Sequence, residues 1–201
     1  MRIATDGVVF VDVDTQIDFV EPSGALYVPG AETLKPRFAR LIEAARRHAI
    51  PVIASSDAHA PDDPEFEVFP PHCVAGTPGQ RRIAETEPER AVVVPAAGGS
   101  ASADRGATVV LEKTTFDFFS NPAAAQVVSD TGARTAVVFG VALDYCVRAA
   151  ALGLRERGYD TVLVSDATAP VTAEGGAETE RELEAAGVRF TTTEELLAGL
   201  G

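Results

Sequence analysis

FGVALDYCVRAAALGLRERG, residues Phe139–Gly158, is the stretch from which the fold of this chain is read. Ala136, Val137, Val138 and Phe139 form an apolar run that ends at Gly140, the pattern of a buried strand reaching the edge of a sheet. Val141, Ala142, Leu143 and Asp144 leave room only for a turn. From Tyr145 onward, Val147, Ala150, Ala151 and Leu154 recur at helical spacing until Gly158. Cys146 is thereby placed in the first turn of a helix that follows a strand. Free N–H groups and the positive end of the helix dipole favour a thiolate there. Backbone donors beside it are placed to hold an oxyanion. The same residue also reads as a small buried core thiol. This stretch by itself leaves the two readings level.

Outward from that centre, strands and helices alternate. Val8–Val13 is an apolar run broken by Asp12, as in a central parallel strand. It is followed by Asp14, Gln16, Asp18 and Phe19. Open α/β sheets place their chemistry at the carboxyl ends of central strands, although acids there also serve to cap and solvate a turn. A Gly/Pro-rich loop follows, then an amphipathic helix over Thr33–His48 with Thr33 as N-cap. His48 falls among arginines in its last turn and reads as surface charge. Further strands are expected at Pro51–Ala54, Arg90–Pro95, Val109–Glu112, Thr161–Val164 and Val188–Thr191. Helices are expected after Pro122, at Glu174–Ala186 and at Thr193–Leu200, with a flexible connection over residues 96–107. Near-continuous apolar strands alternating with helices predict a parallel sheet covered on both faces.

The second strand opens into SSDAHAPDDPEFEVFPPHCVAGTPGQ. Asp57 and His59 stand two apart, His72 follows thirteen later, and Asp62, Asp63, Glu65 and Glu67 lie between. Two imidazoles with surplus carboxylates on a Pro-rich loop suit a divalent transition metal. An acidic solvated loop with two incidental histidines is the plainer alternative, but the loop holds two of only three His in the chain. Lys113 closes the Val109–Glu112 strand. A lone Lys at a strand end is usually surface, but facing the same crevice as Asp14 and Cys146 it would favour a thiolate.

The chain has 201 residues, 46 % of them hydrophobic and 6 % aromatic, which fits one Ala/Val/Leu-packed domain spanning residues 1–201. A formal charge of −13 argues against nucleic acid and anionic membrane surfaces as partners. Cys73 and Cys146 make no disulfide framework. With neither a signal-peptide pattern nor a membrane-spanning run, the expectation is a cytoplasmic protein. Assembly with further copies of the chain stays open.

Four motifs in one order, DTQIDF, DAH…PPHCVAGTPG, EKTTFDFF and GVALDYCV, make the chain resemble the nicotinamidase and isochorismatase-like cysteine hydrolases along essentially its whole length. The resemblance implies an α/β/α sandwich around a six-stranded, mainly parallel sheet. It also implies an Asp–Lys–Cys triad, here Asp14, Lys113 and Cys146. A non-proline cis peptide would fall at Val141–Ala142, with the Ala142 and Cys146 N–H groups as oxyanion hole. The nicotinamidase branch is similar in placing Asp57, His59 and His72 around one divalent ion, zinc first, with iron or manganese as alternatives. Many members carry a further His in this loop. This chain has none, and Glu65 is the matching carboxylate, with Asp63 the competing candidate; on that assignment losing Asp63 would matter little. Ala58 stands where an aromatic is common. Phe19, Phe69, Val141 and Tyr145 are expected to wall an aromatic amide, although ordinary core packing explains each aromatic equally well. The implied reaction is hydrolysis of nicotinamide, and of pyrazinamide, to the acid and ammonia, a salvage step for pyridine nucleotides. A hydrolase for another small amide and a catalytically silent binding relative are the alternatives.

Overall fold

The computed structural model describes residues 5–101 and 108–200, so residues 102–107 of the expected 96–107 connection lie outside the described residues. Seven strands form one sheet: β1 (Val8–Val13), β2 (Val52–Asp57), β3 (Ala91–Val94), β4 (Thr108–Lys113), β5 (Thr135–Val141), β6 (Asp160–Ala169) and β7 (Arg189–Thr191). Their order is β3-β4-β2-β1-β5-β6-β7 and every neighbouring pair is parallel. Among the described residues six α-helices surround it: α1 (Ile17–Val20), α2 (Lys35–Arg47), α3 (Ala124–Asp130), α4 (Arg148–Glu156), α5 (Ala173–Ala185) and α6 (Thr193–Gly199).

The alternation of side chains along each strand divides the interior into two cores. Phe10, Val137, Phe139, Val162 and Val164 face α2 and α6, where Phe38, Leu41 and Leu196 are buried. Val9, Val11, Ile53, Val109, Leu111, Val138 and Leu163 face the other way, onto Val127, Ala150, Ala151, Leu154 and Leu183 of α3, α4 and α5. Strands buried on both faces explain why the sequence shows apolar runs rather than alternation.

Three expectations are corrected. Among the described residues the sheet has seven strands, matching the seven apolar runs of the sequence, rather than the six the resemblance implies, since the short segments β3 and β7 both pair onto it. Strand β6 continues past Val164 to Ala169. Ser165 and Asp166 read as a strand end, but Ser165 Oγ donates to Thr191 O (3.1 Å) and Asp166 Oδ1 accepts from Thr193 N (2.7 Å). With both polar side chains satisfied, the strand has no reason to stop. Thr33 does not cap α2. It lies in a 3₁₀ turn, Ala31–Leu34, where its Oγ1 donates to Gly30 O (2.7 Å), and α2 begins beyond it at Lys35–Pro36. Proline at a first turn lacks an N–H that would need capping.

The strand order reverses at β1, whose neighbours are β2 and β5. At such a reversal the connections leave a crevice at the carboxyl ends of the strands. Gly140 shapes its floor: a Cβ there would stand 2.0 Å from Val13 O, and its φ is +122°. No helix among the described residues is long and apolar enough to cross a membrane.

Candidate active site

Asp14, Asp57, Lys113 and the turn carrying Cys146 lie at the carboxyl ends of β1, β2, β4 and β5. Asp57 and Lys113 are register partners across β2 and β4, so their side chains emerge on one face. Lys113 Nζ contacts Asp57 Oδ1, lies 2.8 Å from Asp14 Oδ2 and stands 3.7 Å from Cys146 Sγ. Ser55 Oγ donates to Asp14 Oδ1 at 2.7 Å. Asp14 has a φ of +48°, an unfavourable backbone for a residue with a Cβ and of the kind concentrated at functional sites. The Val141–Ala142 peptide is cis, at the bond the resemblance pointed to.

Burial dominates the electrostatics. It raises Asp14 above the usual carboxylate range, against the pull of the Lys113 ammonium. For Asp57 burial acts upward too, but Lys113 and His59 outweigh it and the carboxyl is lowered. Burial works against the charge of Lys113, yet the Asp14 and Asp57 carboxylates raise it well above the ordinary lysine value. Burial also pushes the Cys146 thiol up, with Lys113 pulling the other way. This corrects the expectation of a thiolate favoured by a helix end. Cys146 sits inside a π-helical turn, Leu143–Val147, that precedes α4, buried against the sheet. Asp14 is the carboxylate in contact with Cys146.

The acids of the β1 segment separate into three jobs. Asp12 pairs with Arg82, whose guanidinium also reaches Ser55 O (2.9 Å) and Thr15 Oγ1 (2.6 Å) beneath the site. Asp14 enters the site. Asp18 ties two loops, accepting from Ala25 N (3.0 Å) and Cys73 N (2.7 Å). Gln16 clamps the Asp57 backbone, donating to Asp57 O (2.8 Å) and accepting from Asp57 N (2.7 Å). Arg82 escaped the sequence reading, since an arginine in a Gly/Pro-rich loop carries no signal of burial.

A backbone bridge closes the loop after β2, with His59 N donating to Cys73 O (3.1 Å) and Ala75 N to His59 O (2.9 Å). It brings the imidazoles of His59 and His72 to a centroid separation of 4.8 Å. Donor atoms of Asp57, His59 and His72 lie within 4.8 Å of one another, as do those of His59, Asp63 and Glu65. His72 Nδ1 is 2.8 Å from Pro70 O, an acceptor, which assigns the proton to Nδ1 and leaves the Nε2 lone pair free. Buried His59 has no hydrogen-bond partner on either nitrogen among the described residues. Orphaned imidazole nitrogens beside a carboxylate fit a divalent ion.

Cys146 and part of this cluster line one cleft of about 620 Å³, counting its solvent-facing part, while buried Asp14, Lys113 and His59 lie behind its wall. Asp57, Glu65, His72, Ala142 and Cys146 line it, and so do all four expected walls, Phe19, Phe69, Val141 and Tyr145. Leu26, Tyr27, Val28, Phe116 and Val171 line it as well and were not foreseen. Phe116, inside EKTTFDFF, carried a signal in its motif; the other four lie in loops without one. Tyr145 and Phe116 stand at the rim, 39 % and 48 % exposed, with ring centroids 6.2 Å apart. Cys73 is buried, and burial pushes its thiol up, so it packs rather than reacts.

With the fold and the site in view, residues 8–195 match the isochorismatase domain family. The chain belongs to this family of isochorismatase-like hydrolases. It is 32 % identical to the nicotinamidase/pyrazinamidase of Mycobacterium tuberculosis over 193 residues, 89 % of this chain and 95 % of that one. Its fold matches N-carbamoylsarcosine amidase from Thermoplasma acidophilum (TM-score 0.74, 28 % identity, covering 92 % and 96 % of the two chains). It also matches pyrazinamidase of Pyrococcus horikoshii in complex with zinc (TM-score 0.78, 24 % identity, 92 % and 99 %).

Proposed function

We propose that the protein is a metal-dependent amidase that hydrolyses nicotinamide to nicotinate and ammonia, and pyrazinamide likewise, through a thioester on Cys146. One observation carries this reading: Cys146 lines the same aromatic-walled cleft as Asp57 and His72 of the Asp57–His59–His72 cluster, and Lys113 Nζ stands 3.7 Å from its Sγ and 2.8 Å from Asp14 Oδ2. Asp14 takes the thiol proton, and Lys113 holds the charges that result. Sγ attacks the carboxamide carbon, while the Ala142 and Cys146 N–H groups hold the oxyanion; one such donor contributes roughly 2.7–4 kcal/mol. As the C–N bond breaks, Asp14 returns its proton to the departing ammonia. Asp14 then takes a proton from the water that cleaves the thioester, and the thiol is restored. Phe19, Phe69 and Tyr145 flank the ring. A zinc, iron or manganese ion held by Asp57, His59 and His72, with Glu65 as fourth ligand, would supply a coordination position for the pyridine nitrogen.

The 32 % identity to a nicotinamidase/pyrazinamidase over most of both chains supports this substrate class. The likeness to N-carbamoylsarcosine amidase favours, as second reading, an amidase for another small amide. Ammonia release from nicotinamide, pyrazinamide, N-carbamoylsarcosine and aliphatic amides, run beside a metal analysis of the purified protein, separates the two. Turnover of nicotinamide at least tenfold above the non-aromatic amides is expected. The reverse order would establish the second reading.

A further inference from the structure

Asp63 has no part in the reaction above, yet two contacts hold its carboxylate against the ligand cluster. His59 Nε2 faces Asp57 Oδ2 at 3.6 Å, while Nδ1 faces Asp63 Oδ2 at 3.1 Å, close but off the line of a hydrogen bond. A fully buried imidazole with both nitrogens unmatched costs free energy until something takes up each of them. His72 shows how a neighbouring ring is arranged. Its Nδ1 rests on Pro70 O, and its Nε2 points at the same Asp57 Oδ2, 3.9 Å away.

Both Nε2 atoms thus converge on one carboxylate oxygen, and the rings differ in what stands behind them. Behind His72 is a neutral carbonyl; behind His59 is the Asp63 carboxylate. Asp63 is itself anchored, because its Oδ1 accepts from Glu65 N at 2.9 Å at the start of the Pro64–Glu67 turn. Its other oxygen is therefore presented to Nδ1 with little freedom to swing away, and the side chain is only 13 % exposed. The same bond fixes the backbone of Glu65, whose side chain lines the cleft while that of Asp63 does not.

We propose that Asp63 is the positioning residue of the metal centre: its carboxylate backs His59 Nδ1 so that Nε2 is the ligand nitrogen. The proposal rests on the metal reading given above and reverses the expectation that losing Asp63 matters little. Partners behind a metal-bound histidine fix its tautomer and orientation, and removing them weakens metal binding by about 10–100-fold.

The test measures zinc affinity by competition with a chromophoric chelator, and the absorption spectrum at saturating cobalt(II). The proteins are wild type, Asp63→Ala, Asp63→Asn and Glu65→Ala, with melting in excess chelator as a control for folding. Asp63→Ala should bind zinc about 10–100-fold more weakly while keeping the wild-type cobalt bands. Asp63→Asn should fall between, because an amide keeps the cap but loses the charge, and it carries the test if the alanine variant fails to fold. Glu65→Ala should move the cobalt bands. Zinc affinity of Asp63→Ala within twofold of wild type, or wild-type affinity in Asp63→Asn, overturns the proposal. Cobalt bands in Asp63→Ala that shift as in Glu65→Ala would make Asp63 a ligand, and also overturn it. Failure of wild-type protein to take up either ion overturns the metal reading itself, a result distinct from unchanged affinity in the variant.

Discussion

Replacing Lys113 by Met removes a cation from between two buried carboxylates. Its Nζ lies 2.8 Å from Asp14 Oδ2 and in contact with Asp57 Oδ1, and none of the three side chains is more than 5 % exposed. Removing one partner of a buried ion pair costs about 3–5 kcal/mol, because the surviving charge stays out of water. In a chain of this length each kcal/mol lowers Tm by about 2–4 °C, so Lys113→Met should melt about 6–20 °C below wild type near pH 8. The pH dependence gives the sign. In the wild type, Lys113 and His59 hold Asp57 low despite burial, so its stabilisation is present above the unfolded carboxylate value and lost as pH falls through the folded one. Without Lys113, burial leaves Asp14 and Asp57 both raised in the fold. The unfolded chain then gives up its protons first as pH rises, and stability is lost from about pH 4 upward. The deficit should accordingly shrink at pH 5. Calorimetry at both pH values, with chelator in every sample, measures it. Adding Asp57→Asn should recover part of the loss by removing one stranded charge. A Lys113→Met protein melting within about 2 °C of wild type at pH 8, or showing the larger deficit at pH 5, refutes the argument.

Cys146→Ala should abolish ammonia release while melting within a few degrees of wild type, and appreciable residual turnover would exclude the thioester route. Gly140→Ala should cost about 3 kcal/mol or more, read by denaturant melts, since the new Cβ meets Val13 O at 2.0 Å where φ is +122°. Arg82→Met should strand Asp12 and cost about 3–5 kcal/mol in the same assay, with Arg82→Met/Asp12→Asn recovering most of it. Removing the metal should raise KM for nicotinamide strongly, yet leave the iodoacetamide rate of Cys146 within about twofold, since neither Cys146 nor its neighbour Lys113 is among the proposed ligands.

Two segments separate what local pattern reveals from what it hides. The turn before α4 was legible in position, because an apolar run, a Gly and a helical period leave Cys146 nowhere else to lie. The ionisation of its thiol was not legible. A helix end alone predicts a lowered value, whereas the sheet packed behind Cys146 takes water away and pushes it up. Strand β6 fails in the same manner: Ser165 and Asp166 look like a strand end until Thr191 and Thr193, twenty-six and twenty-seven residues on, supply their partners.

The amino-acid sequence by itself determined the parallel, helix-covered sheet, the strand ends that carry Asp14, Asp57, Lys113 and Cys146, and the loop that carries His59 and His72. Hydrophobic period and turn residues are local, and a strand end is where both change. Only the tertiary structure decided which of those ends meet. The reversal of strand order at β1 and the register of Asp57 with Lys113 are long-range facts. So are the burial of Arg82 against Asp12 and the delivery of Asp63 to His59. A charged side chain reads alike in any loop of the sequence. Its neighbours and its access to water exist only after folding, and those two quantities set what it does.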